Sequence, residues 1–270
     1  MLFPPCDEVK PERDASDHAT ELFLTDRLRL EVKVSGGTEI GSWVGASQFD
    51  ARSIFDLVGR GPFGTGALGT FLSDIFDNEA ARFAYNGEVL ADAGKLLQYS
   101  YQVPREASHY QVKAGLDWQV VAFAGEAGID PNTLDLRQLT VRGHDLPRAT
   151  EACEVNTRVD YARTRIGATD FLLPLRSQLH IVTISTQEDD ITTEYSGCRE
   201  YQSESKIRFG DAAEASEERA ALPTPPVKVP AGLALDLALA QPIDTDTAAT
   251  GDPIEMQVRS AVRAKGRAPC

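Results

Sequence analysis

The sequence predicts a mainly β protein: a single large curled antiparallel sheet, or half-barrel, with a short helical insertion and an incomplete β module after it. Three observations predict this fold. Apolar and polar residues alternate in many short segments between Leu22 and Phe209, which is the pattern of half-buried strands. Turn-forming residues separate these segments at short intervals, which favours antiparallel pairing of consecutive strands. One segment, TFLSDIF, has its apolar residues at helical spacing instead.

Composition divides the chain into four segments. Residues 1–19 are polar and contain prolines, which predicts a disordered start. Residues 20–210 carry the curled β domain. Residues 211–230 form an acidic, proline-rich linker, which we expect to be extended. Residues 231–270 contain two alternating segments, and because two strands alone are marginal in water, they predict a truncated β module.

The β domain begins with a predicted strand from Leu22 to Val34, in which the apolar residues Leu22, Leu24, Leu28, Leu30, Val32 and Val34 share one face. A Gly-Gly turn then leads to a second strand, Ile40–Val44. Residues 50–78 differ, because a glycine-rich stretch precedes an amphipathic helix whose apolar face is Phe71, Leu72, Ile75 and Phe76. Further strands are predicted at Ala81–Leu90, 97–103, 110–112, 118–124, after the turn in IDPN, and at 153–161, Phe171–Leu173, Leu179–Ile184, Ile191–Tyr195 and Tyr201–Phe209.

The charge and hydropathy of the chain exclude several partners. With 27 basic and 41 acidic residues, the formal net charge is −14, so nucleic acid and anionic membranes would repel it. No apolar run approaches the roughly 18 residues that span a bilayer, so we predict no transmembrane segment. The first residues, MLFPPCDEV, lack the pattern of a signal peptide. A genuine start would therefore place the protein in the cytoplasm, although the features below favour the periplasm or cell envelope.

The glycine-rich stretch is the strongest candidate for an enzymatic site. Gly59, Gly61 and Gly64 fit G-x-G-x-x-G, and so do Gly64, Gly66 and Gly69, a pattern that lets backbone approach a pyrophosphate. The alternation of strands and helices typical of a nucleotide-binding sheet is missing around it, so an ordinary loop before a helix is the favoured interpretation. No nucleophile elbow, Walker loop or metal-binding histidine pair is present. We therefore predict a protein that is not an enzyme and has no cofactor or metal site, with a nucleotide-binding enzyme using the Gly59–Gly69 loop as the alternative.

Aromatic residues on successive predicted strands suggest an apolar ligand face. If the sheet curls, they share its concave side and line an apolar groove. The alternative is that they pack beneath the helix. The residues concerned are Trp43, Phe83, Tyr85, Tyr99, Tyr101, Tyr110 and Trp118.

Two of the four cysteines suggest a disulfide. Cys153 begins a predicted strand, and Gly197 offers a bulge that would turn Cys198 toward the same face. A Cys153–Cys198 bond requires an oxidising compartment. The alternative is a pair of free thiols in a reducing one.

Several segments resemble known envelope proteins. The hairpin DWQVVAFAGEAGIDPNTLDLRQLTV and the strand FLLPLRSQLHIV resemble segments of the LolA/LolB-type lipoprotein carriers. A closer likeness, carried by SIFDLVG, SHYQV and CREYQSESKIRF, is to uncharacterised envelope proteins of Acidobacteria-type bacteria. The C-terminal segment LALAQPIDTDTAATGDPIEMQVRSAV resembles the start of a small β-barrel module of conjugal-transfer proteins.

The resemblance to the carriers implies a half-open barrel that holds acyl chains in the periplasm, and it transfers no individual functional residue. The hypothesis from sequence is therefore a non-catalytic cell-envelope protein that binds an apolar or lipid-like ligand, such as a lipid or lipoprotein acyl chain. Its C-terminal module would contact other envelope proteins. The alternative from another class is a structural subunit of an envelope assembly.

Overall fold

The computed structural model describes residues 6, 24, 26–35, 38–46, 49, 64–91, 94–113, 118–199 and 233–260. The chain divides into two compact units, Met1–Leu24 with Leu30–Glu200 and Thr25–Arg29 with Tyr201–Cys270. The predicted linker 211–230 and the predicted strand Tyr201–Phe209 lie outside the described residues, as does the predicted disordered start apart from Cys6.

The larger unit confirms the predicted fold class. Its described residues contain one α-helix of seven residues, α1, and eleven strands. In chain order these are β1 (Leu30–Ser35), β2 (Thr38–Trp43), α1 (Thr70–Phe76), β3 (Arg82–Ala91), β4 (Gly94–Val103), β5 (Gln111–Val112), β6 (Gln119–Val120), β7 (Ala122–Ile129), β8 (Leu136–His144), β9 (Ala152–Ile166), β10 (Thr169–Thr183) and β11 (Glu188–Glu194).

Seven of these strands form one antiparallel sheet in the order β11-β10-β9-β8-β7-β4-β3. Apart from the short β5–β6 pair, consecutive strands are therefore neighbours, as the closely spaced turns predicted. The first and last strands of the sheet, β3 and β11, do not pair with each other, so the sheet is not closed into a barrel. Both remain edge strands of the described sheet.

The core of the larger unit lies on one face of this sheet, beneath α1. Alternate residues of each strand point toward it, and the helix contributes Phe71 and Ile75. From the strands come fully buried residues such as Tyr101, Phe123 and Val159. Burying a large apolar side chain contributes about 1.5–3 kcal/mol, so the register that keeps this face inward is strongly favoured over a one-residue slip.

A single strand, β10, replaces the two strands that the sequence predicted at Phe171–Leu173 and Leu179–Ile184. Pro174, which lies between these two segments, has no backbone N–H to donate to the ladder. The register against β9 instead shifts between Pro174 and Arg176. The carbonyl of Leu175 accepts a hydrogen bond from the backbone N–H of Tyr195 at 3.0 Å. A bulge thus accommodates the proline within a continuous strand.

The smaller unit contains a two-stranded antiparallel sheet of β12 (Leu237–Leu239) and β13 (Met256–Val258). It also includes Thr25–Arg29, which the sequence assigned to the first strand of the β domain. The reason is a backbone bridge, in which Thr250 donates to the carbonyl of Arg27 at 2.7 Å and accepts from Arg29 at 2.9 Å. The first strand of the larger unit therefore begins at Leu30, and Leu24 is exposed.

None of the helices in the described part of the chain has the length and apolar character needed to cross a membrane.

Candidate binding surface

Two of the seven aromatic residues singled out in the sequence belong to the core beneath α1. Tyr101 is 1% exposed, and its hydroxyl donates to the carbonyl of Thr140 at 2.6 Å. Tyr110 packs edge-on against Phe71 and Phe123, with ring centroids 5.7 and 5.6 Å apart. Burial raises the pKa of both tyrosines, that of Tyr110 to about 12. Neither ring lines an open groove.

Three others, together with Phe76, form a surface that we call the aromatic row: Phe76, Phe83, Tyr85 and Tyr99. Phe76 stacks on Phe83 with centroids 5.8 Å apart, and Tyr85 packs on Tyr99 at 5.1 Å. Phe76, Phe83 and Tyr85 are 45%, 46% and 56% exposed, and Tyr99 is partly exposed. The row thus consists of two ring pairs, and both pairs present ring surface to solvent.

The register of β3 and β4 explains why these rings meet. Phe83 lies opposite Tyr101 and Tyr85 lies opposite Tyr99, so all four side chains project from one face of the sheet. After Tyr85 the register shifts by one residue, and Gly87 at φ 98° follows the irregularity. The shift ends the row. Because α1 covers Tyr101 but itself ends at Phe76, the rings nearer the β3 edge remain uncovered.

The two tryptophans lie elsewhere. Trp43 is the last residue of β2, which belongs to the β1–β2 hairpin and not to the large sheet. Trp118 immediately precedes β6, with the Nζ atom of Lys113 5.5 Å from the centre of its ring. The predicted seven-residue face is therefore distributed over the core, the aromatic row and two separate positions.

Phe76 was not among the predicted ligand-face residues, although the sequence placed it on the helix. As the last residue of α1, it lies beyond the part of the helix that is buried by the sheet. Its position at the end of the amphipathic pattern was the sequence feature that could have indicated an exposed ring.

The loop before α1 is held in place by a carboxylate of the same chain. The Oε1 atom of Glu39 accepts hydrogen bonds from the backbone N–H groups of Gly66 and Leu68 at 3.0 and 3.1 Å. The hydroxyl of Tyr161 donates to the carbonyl of Ala67 at 2.9 Å. Burial raises the pKa of Glu39 above its usual range, and the two backbone hydrogen bonds oppose that shift.

The hydrogen bonds of Glu39 affect how the G-x-G-x-x-G pattern is interpreted. Gly59 and Gly61 lie outside the described residues, whereas Gly64, Gly66 and Gly69 lead directly into α1. Gly66 adopts φ 103°, and a side chain there would also press on the ring of Phe71. Its N–H group, which a phosphate would need, already binds the Glu39 carboxylate. The visible role of this glycine is to shape the loop.

A second carboxylate fixes the other side of α1. Asp74 is buried, and its Oδ1 atom lies 2.9 Å from Nδ1 of the exposed His109. Close by, the side-chain amide of Asn78 donates to the carbonyl of Ala107 at 2.8 Å. These contacts tie the helix to the segment after β4, and so fix the position of Phe76.

The structure corrects the predicted disulfide. Cys153 pairs with Cys6, with Cα atoms 5.2 Å apart, and Cys198 is a free, exposed thiol. The register explains why Cys198 is out of reach. Cys153 lies on β9 at the level of Val182 and Thr183 of β10, whereas Glu194 on the far side of β10 is already level with Arg176. The six residues between those levels span roughly 20 Å, far beyond the ~7 Å limit for bridging.

Within the described residues, no three histidine, cysteine, aspartate or glutamate side chains form a group that could hold a metal ion.

No protein-family model matches the chain, and no curated protein or solved structure matches it.

Proposed function

We propose that this chain is a non-catalytic binding protein of the cell envelope, which holds an acyl chain of a lipid or lipoprotein against the aromatic row. The observation that carries the proposal is that two solvent-facing ring pairs are neighbours along β3 at one edge of the sheet. Isolated exposed apolar residues are normal on a protein surface, whereas contiguous patches typically mark interaction sites.

The chemistry of the row fits an amphiphile. Phe76 and Phe83 form an entirely apolar end, and Tyr85 and Tyr99 add hydroxyl groups at the other. Tyrosine at a boundary typically places its ring on apolar material and its hydroxyl toward water. An acyl chain would therefore lie over the phenylalanines with its polar head near the tyrosines. Each methylene removed from water contributes about 0.8 kcal/mol, and an open row removes only one side of the chain from water.

The Cys6–Cys153 bond supports a location in the periplasm or cell envelope. Disulfides persist in oxidising compartments such as the periplasm and are rare in reducing ones. A covalent link between residues 147 apart in sequence is consistent with a protein that folds under oxidising conditions.

The edge strand β3 favours a second candidate, a structural subunit of an envelope assembly. The strand has ten residues, its first five residues are all exposed, and among the described strands it pairs with β4 alone. Such an edge can pair with a strand of another protein. In that case the aromatic row would cover apolar side chains of the partner.

A fluorescence titration with dansylundecanoic acid tests the proposal on the full chain. We expect saturable binding that weakens at least tenfold in the double variant Phe83→Ser/Tyr85→Ser. The matched control is Phe171→Ser, since Phe171 is a similarly exposed ring (41%) on β10. Absence of saturable binding, or equal binding by both variants, would overturn the proposal. Self-association that is lost in the double variant would favour the assembly subunit instead.

A further inference from the structure

The face of the sheet opposite the core carries a groove with a volume of about 550 Å³. It crosses the four strands β8, β9, β10 and β11. Apolar residues of these strands, such as Val141 and Val159, are buried on the core side. The groove is lined mainly by the alternate, polar residues, and Thr157, Leu179 and Ile191 complete its lining. Its volume falls in the range of small-molecule sites, and nine of its eleven lining residues are polar or charged, which favours a ligand with several hydrogen-bonding groups.

The strand register arranges eight of the lining residues in two parallel rows, each with one residue from each of the four strands. The first row is Thr140, Arg158, Gln178 and Thr192. The second row is Arg142, Asn156, His180 and Asp190. Directly opposite residues lie within reach of each other, and the two rows therefore present a continuous grid of hydrogen-bonding groups.

The two arginines of the grid are diagonal neighbours on adjacent strands. Arg142 lies opposite Asn156, and Arg158 lies opposite Thr140, which places their Cβ atoms about 7 Å apart on the same face. Both guanidinium groups are substantially exposed. Two long side chains at this spacing can converge on one anionic group.

Both arginines have weak acidic partners. Arg142 approaches Glu126 at 3.9 Å, and Nε of Arg158 approaches Asp160 at 3.5 Å. Strong pairs of this type have distances of about 2.7–2.9 Å, as Arg163 and Asp135 show at 2.7 Å in the same protein. The amide oxygen of Gln138, in its favoured orientation, accepts a hydrogen bond from Arg158 and steadies that side chain. Each guanidinium carries five N–H donors, so several remain for a ligand.

The acid of the grid is already engaged. Asp190 lies 2.8 Å from Nδ1 of His180, so this carboxylate has a hydrogen-bond partner within the second row. Asn156, Gln178, Thr140 and Thr192 add donors and acceptors suited to hydroxyl groups.

We propose that this groove is a binding site for a small polyhydroxylated anion, a sugar acid or a sugar phosphate. Arg142 and Arg158 bind its carboxylate or phosphate through paired N–H donors, and the amide and hydroxyl side chains bind its hydroxyl groups. The site is on the opposite face of the sheet from the aromatic row and does not depend on it.

Isothermal titration of the full chain with glucuronate, glucose 6-phosphate and glucose tests this site. We expect saturable binding of at least one anion and at least tenfold weaker binding of glucose. Binding of glucuronate alone, of the phosphate alone or of both would each support the proposal and would define the anionic group. Equal affinity for glucose, or no binding of either anion, would overturn it.

Variants locate the binding. Arg142→Gln and Arg158→Gln should each weaken anion binding at least tenfold, and the lysine variants, which keep the charge but lose the planar donors, should give a smaller loss. The control Arg165→Gln removes an equal charge from β9 outside the groove and should leave affinity unchanged. The Phe83→Ser/Tyr85→Ser variant should also bind the anion normally, which separates this site from the aromatic row. Anion binding that survives both glutamine variants would contradict the proposal.

Discussion

The Oε1 atom of Glu39 on β2 lies 3.0 Å from the backbone nitrogen of Gly66, and it accepts that N–H group and the N–H group of Leu68 two residues later. One carboxylate thus holds the loop that leads into α1. Since α1 covers the core and carries Phe76, the position of the aromatic row depends on this contact between segments 27 residues apart.

We expect Glu39→Gln and Glu39→Ala to change the free energy of unfolding in opposite directions at neutral pH. Glutamine keeps an acceptor for the loop and avoids the cost of a buried charge, so this variant should be at least as stable as the native protein. Alanine leaves two N–H groups without their acceptor, which costs about 1–3 kcal/mol. Denaturant unfolding measures both, and equal losses in the two variants would contradict the role of Glu39.

The raised pKa of Glu39 also predicts a pH dependence. The folded state binds the proton of Glu39 more tightly than the unfolded state, in which the pKa of this carboxyl group is near 4.5. Protonation of Glu39 therefore contributes to the free energy of unfolding, and this contribution is fully present below pH 4.5. It is lost as the pH rises through the folded pKa. The stability advantage of Glu39→Gln should therefore grow with pH over that interval and then level off. The control for the loss of one carboxylate is the same change at the exposed Glu79.

Asp135 predicts the opposite dependence. Its Oδ1 atom accepts from Nε and Nη2 of Arg163 at 2.8 and 2.7 Å, and this hydrogen bonding lowers the pKa of Asp135 below its usual value of 3.8. The resulting stability is present above pH 3.8 and is lost as the pH falls through the folded pKa. In Arg163→Gln, carboxyl ¹³C resonances should show the pKa of Asp135 rising, whereas Arg165→Gln should leave it unchanged. An unmoved pKa in Arg163→Gln would refute the pairing.

Gly125 on β7 should not tolerate a side chain. A Cβ atom there would lie 1.8 Å from the carbonyl oxygen of Thr140 and 2.8 Å from the hydroxyl of Tyr101. These two groups hydrogen-bond to each other, so relaxation would break a buried contact. We expect Gly125→Ala to destabilise the protein by about 1–3 kcal/mol. Gly69→Ala, where the added atom meets nothing within 4 Å, is the matched control, and similar melting temperatures for both variants would contradict this account.

The disulfide should contribute to stability. Closing a loop between residues 147 apart stabilises the folded chain by roughly 2–5 kcal/mol in the chain-entropy model. Cys6→Ser/Cys153→Ser should lower the denaturation midpoint by a corresponding amount, and Cys198→Ser should not. Peptide mapping without reductant should recover Cys6 linked to Cys153. Recovery of Cys153 linked to Cys198 would contradict the structure.

Local pattern was sufficient to predict the fold class. Alternation over Cys153–Tyr161 and helical spacing at Phe71 and Ile75 report backbone geometry directly, and β9 and α1 follow them. The same pattern placed Phe83, Tyr85, Tyr99 and Tyr101 on one face of the sheet. It did not predict that α1 buries Tyr101 and leaves Tyr85 exposed, because coverage depends on where the helix ends in space.

The identity of the disulfide partners could be predicted only from the strand register. Cys153 and Cys198 are the closest pair of cysteines in sequence, but the bulged strand β10 separates them, whereas Cys6 lies beside Cys153 from the other end of the chain. The groove was missed for the same reason. Arg142, Arg158 and His180 are unremarkable polar positions on separate strands until the register aligns them in rows.

The most direct test of the central claim is a titration of the protein with dodecanoic acid, followed through ring resonances after ¹³C labelling of phenylalanine and tyrosine. The proposed function predicts saturable shifts confined to Phe76, Phe83, Tyr85 and Tyr99, with Phe171 unchanged. Shifts spread over Phe171 and the aromatic row alike, or none at saturating ligand, would contradict an acyl-binding aromatic row.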